Sequence, residues 1–374
     1  VAVKVALDVS AAPAQLAGAG RYIAELAARL PASGITTTLV CRRDDASRWA
    51  TTSPQATLAA VVPTARGARL LYEATRLGTS DVARQAEVWH GPHYTMPRRR
   101  VTPTVVTIHD LTYFTNPEWH ERSKAMFFRR AITYAARHAD VLVAVSDCTA
   151  RAIEGLFESH APIVVAPHGV DLTRFGVDPT GDEALFRAHR LPVGTPYVFF
   201  VGTVEPRKGL DVLLAAFNQL SRDDSEIELW LAGQAGWGVP GFEAALAGQY
   251  AASRIRRLGF VDDEMLPALL RQSRAVAYPS RGEGFGLPVL EAMACGASVV
   301  TSTGTVMAEV ADGAAVLVDV GDVNALASAL AEVSTSGDEE RVDRATRSRE
   351  RAEHFTWEYS LSQHRQAYEL ARGR

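Results

Sequence analysis

The stretch Arg281-Gly-Glu-Gly-Phe-Gly-Leu-Pro-Val-Leu-Glu-Ala-Met-Ala-Cys-Gly296 decides the reading of this chain. Pro288 suits the first turn of a helix, where its missing N–H would have no partner anyway, and Gly296 suits the position just past the last turn. A short helix is predicted between them. In front of it, the glycines of Gly284-Phe285-Gly286 let backbone amides come close to a ligand, and those amides join the positive end of the helix dipole. The segment is thus a candidate anion site, flanked by two carboxylates, Glu283 and Glu291. A carboxylate beside a phosphate-binding helix start has a use if it accepts hydrogen bonds from hydroxyls of a ribose or a sugar. The plainer alternative is that Glu291 only complements the dipole and Glu283 is solvated.

Outward from this stretch, short β-branched runs alternate with amphipathic segments along almost the whole chain, the pattern of βα units and parallel sheets. Strands are predicted at Val3–Asp8, Thr36–Cys41, Val88–His90, Thr104–His109, Val141–Ser146 and Ile163–Ala166, then at Tyr197–Gly202, Glu228–Ala232, Ile255–Leu258, Arg274–Tyr278, Ser298–Ser302 and Ala315–Val318. Between the two sets the periodicity breaks over Pro179, Gly181, Pro192, Gly194 and Pro196. This predicts an N-terminal domain over 1–175, a linker over 176–195 and a second domain over 196–355. The helical tail 356–374 is free to pack back on the first domain. Ligands of such an architecture bind outside the C-terminal ends of the strands, here in a crevice between two domains.

Three further segments fall at predicted strand ends. Val201-Gly-Thr-Val-Glu-Pro-Arg-Lys-Gly209 places Arg207 and Lys208 after a strand and before a helix, where a guanidinium fork and an ammonium could grip a diphosphate; a solvated Arg-Lys pair is the bland reading. Gln15-Leu-Ala-Gly-Ala-Gly-Arg-Tyr22 offers Gly18 and Gly20 as a tight loop. A dinucleotide fingerprint fails there, because Ile23 stands where a third glycine is needed and Val40-Cys41 ends the second strand without an acid. Val105-Val-Thr-Ile-His-Asp-Leu111 ends a strand in His109-Asp110; both are candidates, although Asp110 could simply cap the turn. His90 and His93, in His90-Gly-Pro-His93, are candidates for the acceptor side.

Composition narrows the classes. The chain has 374 residues, 47% hydrophobic and 22% charged, with 39 Lys+Arg against 43 Asp+Glu and a net charge of −4. That balance argues against a protein coating nucleic acid. Cys41, Cys148 and Cys295 form no C-x-x-C pair, which predicts a reduced, cytoplasmic protein without a disulfide framework or zinc cluster. No apolar run approaches a membrane span, which leaves room for peripheral contact at a membrane surface. No D-x-D motif is present to hold a nucleotide diphosphate through a divalent metal. The mild acidity would conceal a local positive potential at Arg207, Lys208 and two helix starts.

Together these segments resemble glycosyltransferase family 4, with E-G-F-G-L-P-V-L-E matching its E-x7-E pattern, F-V-G-T-V-E-P-R-K its donor-phosphate motif and G-A-G-R-Y its N-terminal glycine loop. V-V-T-I-H-D-L-T, A-V-S-D-C-T, V-A-P-H-G-V-D and F-T-W-E follow the family's order over nearly the whole chain. The resemblance implies the GT-B fold, an α/β architecture of two Rossmann-like domains facing a central crevice. It also implies retaining transfer of a sugar from a nucleotide diphosphate to a hydroxyl of a glycan, glycolipid or small molecule, with no cofactor and no required metal. By matching positions, Arg207 and Lys208 hold the diphosphate with amides of Gly20 and of the Gly284-Phe285-Gly286-Leu287 loop. Glu291 binds the ribose, Glu283 the donor sugar, and His109 lies beside the transferred sugar. Gly202 closes the donor-phosphate turn, and Gly233, Phe260 and Val261 border the base. The sequence variants are most similar to bacterial mannosyl- and rhamnosyltransferases, so GDP-mannose is the expected donor, with UDP-glucose and dTDP-rhamnose as alternatives. An NAD-dependent oxidoreductase is the competing enzyme class, and a silent sugar-nucleotide sensor the competing non-enzyme. The chain departs from the family pattern at Gly209, often Asn, and at Val306-Met-Ala-Glu-Val310, often S-L-P-E-V.

Overall fold

The computed structural model describes residues 3–13, 18–234, 236, 239–247 and 251–374; Gln15, Leu16 and Ala17 of the N-terminal glycine loop lie outside them. The chain forms two compact units, one of Val1–Gly169 with Trp357–Arg374, the other of Val170–Thr356.

The first unit is built on a parallel sheet of β1 (Lys4–Asp8), β2 (Thr36–Arg42), β3 (Thr57–Val62), β4 (Val88–Gly91), β5 (Thr104–Ile108), β6 (Val141–Ala144) and β7 (Ile163–Val165). Their order is β3-β2-β1-β4-β5-β6-β7. The second has β8 (Tyr197–Val201), β9 (Glu228–Ala232), β10 (Ile255–Gly259), β11 (Ala275–Tyr278), β12 (Val299–Ser302) and β13 (Val316–Val318), in the order β10-β9-β8-β11-β12-β13. Both sheets step outward from their first strand in one direction and then the other, the doubly wound topology of Rossmann-like folds. Burial on both faces explains the unbroken apolar runs of β6 and β11, every residue of which is buried. Strand β3 was not expected from the sequence. Its Thr-Leu-Ala-Ala-Val-Val run is diluted by two alanines, and it is an edge strand, half-buried along most of its length.

The predicted linker needs correction. The second unit begins at Val170, and residues 176–195 are part of it, carrying the helix Asp182–Ala188. The reason is a buried fork: Arg271 donates through Nε and Nη2 to the two carboxylate oxygens of Asp182 at 3.0 and 2.6 Å, and Asp182 is 3% exposed. The proline- and glycine-rich composition marked irregular backbone, not a free tether.

The C-terminal helix Trp357–Arg372 belongs to the first unit and packs along β4, β5, β6 and β7. A buried polar chain joins it to the sheet. His364 Nε2 lies 2.7 Å from Tyr22 Oη, which lies 2.9 Å from Thr107 Oγ1; His90 bridges Thr107 Oγ1 and Tyr368 Oη, each at 2.8 Å. His90 is fully buried with both ring nitrogens engaged, so its assignment to the acceptor side is corrected to a structural one. Among the described residues no helix is long and apolar enough to cross a membrane. Tyr22→Phe should destabilise the protein by about 1–3 kcal/mol, because Thr107 and His364 lose a buried partner without any loss of apolar contact; urea denaturation measures this.

Candidate functional site

In a doubly wound sheet the loops that leave the two central strands part in opposite directions and open a space at the strand ends. In the second unit these are the loops after β8 and β11, and they carry Arg207, Lys208 and Glu283. The first forms a single tight turn, Pro206–Lys208, that ends on Gly209 with φ +68°. A Cβ at Gly209 would lie 2.1 Å from the carbonyl oxygen of Pro279 in the second loop. The loops are tied directly: Arg281 N and Ser280 Oγ both donate to the Arg207 carbonyl, at 2.7 and 2.9 Å. This close approach explains glycine where the family often has asparagine, since a left-handed backbone alone would tolerate Asn.

Glu283 sits between the two cations. Its Oε2 accepts from Arg207 Nη1 at 2.5 Å and its Oε1 from Lys208 Nζ. Tyr278 Oη and Ser280 Oγ stand 3.1 Å from Oε1, so free acceptor capacity is concentrated on Oε2. Burial would raise this carboxyl, but Arg207 and Lys208 outweigh it and hold the pKa at about 2. Lys208, itself buried, is pushed below the ordinary lysine range by burial and by Arg207. Arg207 also donates through Nε to Glu205 at 2.9 Å. The expected local excess of positive charge is therefore corrected: two cations stand among two carboxylates. Glu205, Tyr278 and Ser280 were not singled out from the sequence, although Glu205 lies in the E-P-R-K run and the other two just precede Glu283.

The helix that follows, Leu287–Ala294, starts from Gly286 with φ +92° and carries Glu291, which is 7% exposed. Amides at Gly286 and Leu287 have no partner within the helix. At the other end, Gly296 N donates to Met293 O at 2.9 Å and Ala297 N to Ala292 O at 3.0 Å, the bond pair that closes a helix on a left-handed glycine. Phe285 is buried against Phe355, so what Gly284-Phe285-Gly286 can present is its backbone. Gly202 and Gly233 follow β8 and β9, and a Cβ on Gly233 would stand 2.0 Å from Gly202 O. Phe260, after β10, is 56% exposed, with the half-buried Val261 beside it.

In the first unit, Gly18 precedes the helix Ala19–Arg29 with φ +49°, and Gly20 is buried in its first turn. His109 follows β5, is 7% exposed and contacts the Pro92 carbonyl through Nε2 at 2.8 Å; burial pushes its pKa down. Asp110 accepts from Thr112 N at 3.0 Å, Thr112 Oγ1 at 2.6 Å and Tyr94 Oη at 3.0 Å. Its candidate role is corrected to capping a turn. His93, half-buried, packs against Tyr94, His109 and Phe128.

Comparison with known proteins follows the same division. Residues 16–174 match the family model Glycosyltransferase Family 4, and residues 181–351 match Glycosyl transferases group 1. The O-antigen chain mannosyltransferase B of Escherichia coli is 32% identical over 285 residues, 76% of this chain and 74% of that protein. The phosphatidyl-myo-inositol mannosyltransferase of Mycolicibacterium smegmatis is 33% identical over 237 residues, 62% of this chain and 57% of that one. Among solved structures, Anabaena HepE in complex with UDP-glucose superposes with a TM-score of 0.76 at 19% identity, covering 99% of this chain and 100% of that chain. WaaG, a glycosyltransferase involved in lipopolysaccharide biosynthesis, gives 0.73 at 17% identity, covering 98% and 99%. The shared fold is GT-B.

The Glu283 contacts predict a pH signature. Its folded pKa lies below the ordinary 4.5, so its stabilisation is fully present above about pH 4.5 and is lost as pH falls through about 2. Glu283→Gln should cost on the order of 3 kcal/mol at pH 7, and the difference from wild type should roughly halve by pH 3, read by urea denaturation at both pH values.

Proposed function

Since the chain belongs to glycosyltransferase family 4, with the GT-B fold, we propose that it transfers mannose from GDP-mannose to a hydroxyl of a glycan, with retention of configuration and without a metal. The observation that carries the proposal is the convergence of Arg207 and Lys208 on Glu283 at the switch point of the second sheet, directly before the Leu287–Ala294 helix start. As the bond from the sugar to phosphate breaks, the sugar becomes oxocarbenium-like and the nucleoside diphosphate gains negative charge. Fixed donors aimed at that charge lower the barrier. Arg207, Lys208 and the first-turn amides are such donors. The acceptor hydroxyl attacks from the face the diphosphate leaves and passes its proton to a diphosphate oxygen, so no enzymic nucleophile is required.

Glu283 acts first as a positioning residue, holding both cations in reach of one ligand. Its remaining capacity on Oε2 can accept a donor-sugar hydroxyl. Glu291 takes the ribose, and the exposed Phe260 offers a ring face for the base. Mannose is favoured because the relatives that match the chain over most of its length include mannosyltransferases. An oxidoreductase is disfavoured because Ile23 stands where a dinucleotide fingerprint needs its third glycine and β2 ends without an acid at Val40-Cys41, and the mannosyltransferase relatives favour a cytoplasmic enzyme of cell-envelope glycan synthesis.

Thermal-shift measurements with GDP, UDP and dTDP, with and without EDTA, test the donor. GDP should raise the melting temperature most, and EDTA should leave that rise intact. A rise with UDP or dTDP alone would replace the base, and loss of the rise with EDTA would refute metal independence. Lys208→Ala should weaken GDP binding far more than guanosine binding and lower kcat about a hundredfold; equal losses for both ligands would remove Lys208 from the phosphate site.

A further inference from the structure

The Tyr278 hydroxyl stands at the switch point of the second sheet, between a cation and the carboxylate that meet there. The residue ends β11 and is fully buried, and its ring stacks on Phe200 of β8 with centroids 5.8 Å apart and planes inclined by 16°. Its main chain is held as well, since Thr301 Oγ1 donates to the Tyr278 carbonyl at 2.8 Å. Neighbouring strands therefore fix where the hydroxyl lies. Its oxygen accepts from Lys208 Nζ, and its own hydrogen goes to Glu283 Oε1 at 3.1 Å. Burial and the charge of Glu283 push the phenol well above its usual range, so it keeps the proton that it donates. A ring that only filled the core would need no hydroxyl, and Phe200 fills the same layer without one.

An ammonium has three hydrogens. At Lys208 one goes to Glu283 Oε1 and one to Tyr278 Oη, and among the described residues these are the hydrogen-bond partners of Nζ. A single acceptor would let the flexible four-carbon stem swing the nitrogen about it. Two acceptors on rigid supports leave Nζ one position, and so one direction for its third hydrogen. We propose that Tyr278 is a positioning residue of the donor site: its hydroxyl is the second anchor of Lys208 and aims the remaining ammonium hydrogen at the diphosphate. The inference rests on the donor reading of Arg207 and Lys208 and specifies what directs the lysine. It also carries a pH signature. Lys208 faces Arg207 and Glu205 on its own loop and Glu283 and Tyr278 from the β11 side, and burial and Arg207 already press its pKa down. Removing a neutral acceptor from the charged form presses it further in the same direction.

The chain has three lysines, and Lys4 and Lys124 are exposed, so isotope labelling of lysine Cε gives an NMR signal for Lys208 and two internal references. In the ligand-free wild type Lys208 should titrate below both references, and one tyrosine Cζ signal should move at the same midpoint, because its hydroxyl feels the ammonium. Tyr278→Phe, which keeps the ring against Phe200, should lower the Lys208 midpoint by about one pH unit, a tenfold loss of proton affinity, and leave Lys4 and Lys124 unmoved. An unchanged Lys208 midpoint in the folded variant would overturn the proposal. Should the variant not fold, the wild type still decides, since a Lys208 titration that no tyrosine signal follows would overturn it too. With GDP as the probe, Tyr278→Phe should weaken binding about tenfold at pH 7 and more at pH 9, because the ammonium that meets phosphate is lost as pH rises through the lowered pKa. Guanosine binding should not change. Equal losses of GDP affinity at both pH values would mark a hydroxyl that serves the fold alone and would overturn the proposal. Failure of GDP, UDP and dTDP to bind the wild type would strike the donor reading, while the two ligand-free titrations still decide whether Tyr278 anchors Lys208.

Discussion

The second unit's site depends on one buried carboxylate. Glu283 is held from the loop after β11, while Arg207 and Lys208 come from the loop after β8, so the two ion pairs cross the point where the sheet reverses direction. Without that carboxylate, Lys208 would be a buried ammonium facing a guanidinium, an arrangement that costs several kcal/mol or drives the lysine to lose its proton. The backbone is fitted to the same purpose. Gly209 lets the first loop come against Pro279, and Arg281 and Ser280 fasten to the Arg207 carbonyl.

Much of this was legible in the sequence, for an identifiable reason. Prolines, glycines and charged residues at strand ends report local backbone geometry, so Pro288 and Gly296 marked a helix that the structure closes with the expected pair of backbone bonds. Twelve strands were legible from short β-branched or apolar runs, clearest where burial on both faces makes them apolar throughout, as in β6 and β11. The thirteenth, β3, sits at an edge where half-burial relaxes that demand. The boundary between the units was obscured because Asp182 and Arg271 are 89 residues apart, and composition says nothing of a pairing at that distance.

The same limit governs the histidines. His90 and His93 look alike in the sequence, three residues apart at one strand end, yet they face different surroundings. His90 is bonded to Tyr368, 278 residues further along, and closes the interior under the C-terminal helix. His93 lines a cavity. A strand-end histidine announces a polar contact; whether that contact is a ligand or the remote end of the same chain depends on tertiary packing.

Charge balance differs between the two switch points. At the second, Arg207 and Lys208 face Glu205 and Glu283, so the cluster attracts anions less than two free cations would. What it offers instead is preorganisation, because Glu283 already fixes both long cationic side chains. Charge-assisted bonds to phosphate oxygens can then form while Glu283 keeps its grip through its other contacts. At the first, Asp8 and Glu73 carry polar capacity that Ser10 and Arg69 only partly meet, beside an apolar surface. Hydroxyls satisfy carboxylates without adding charge, whereas another anion would be repelled by them. The two doubly wound sheets thus carry clusters of different charge balance at their switch points, although the two topologies are the same.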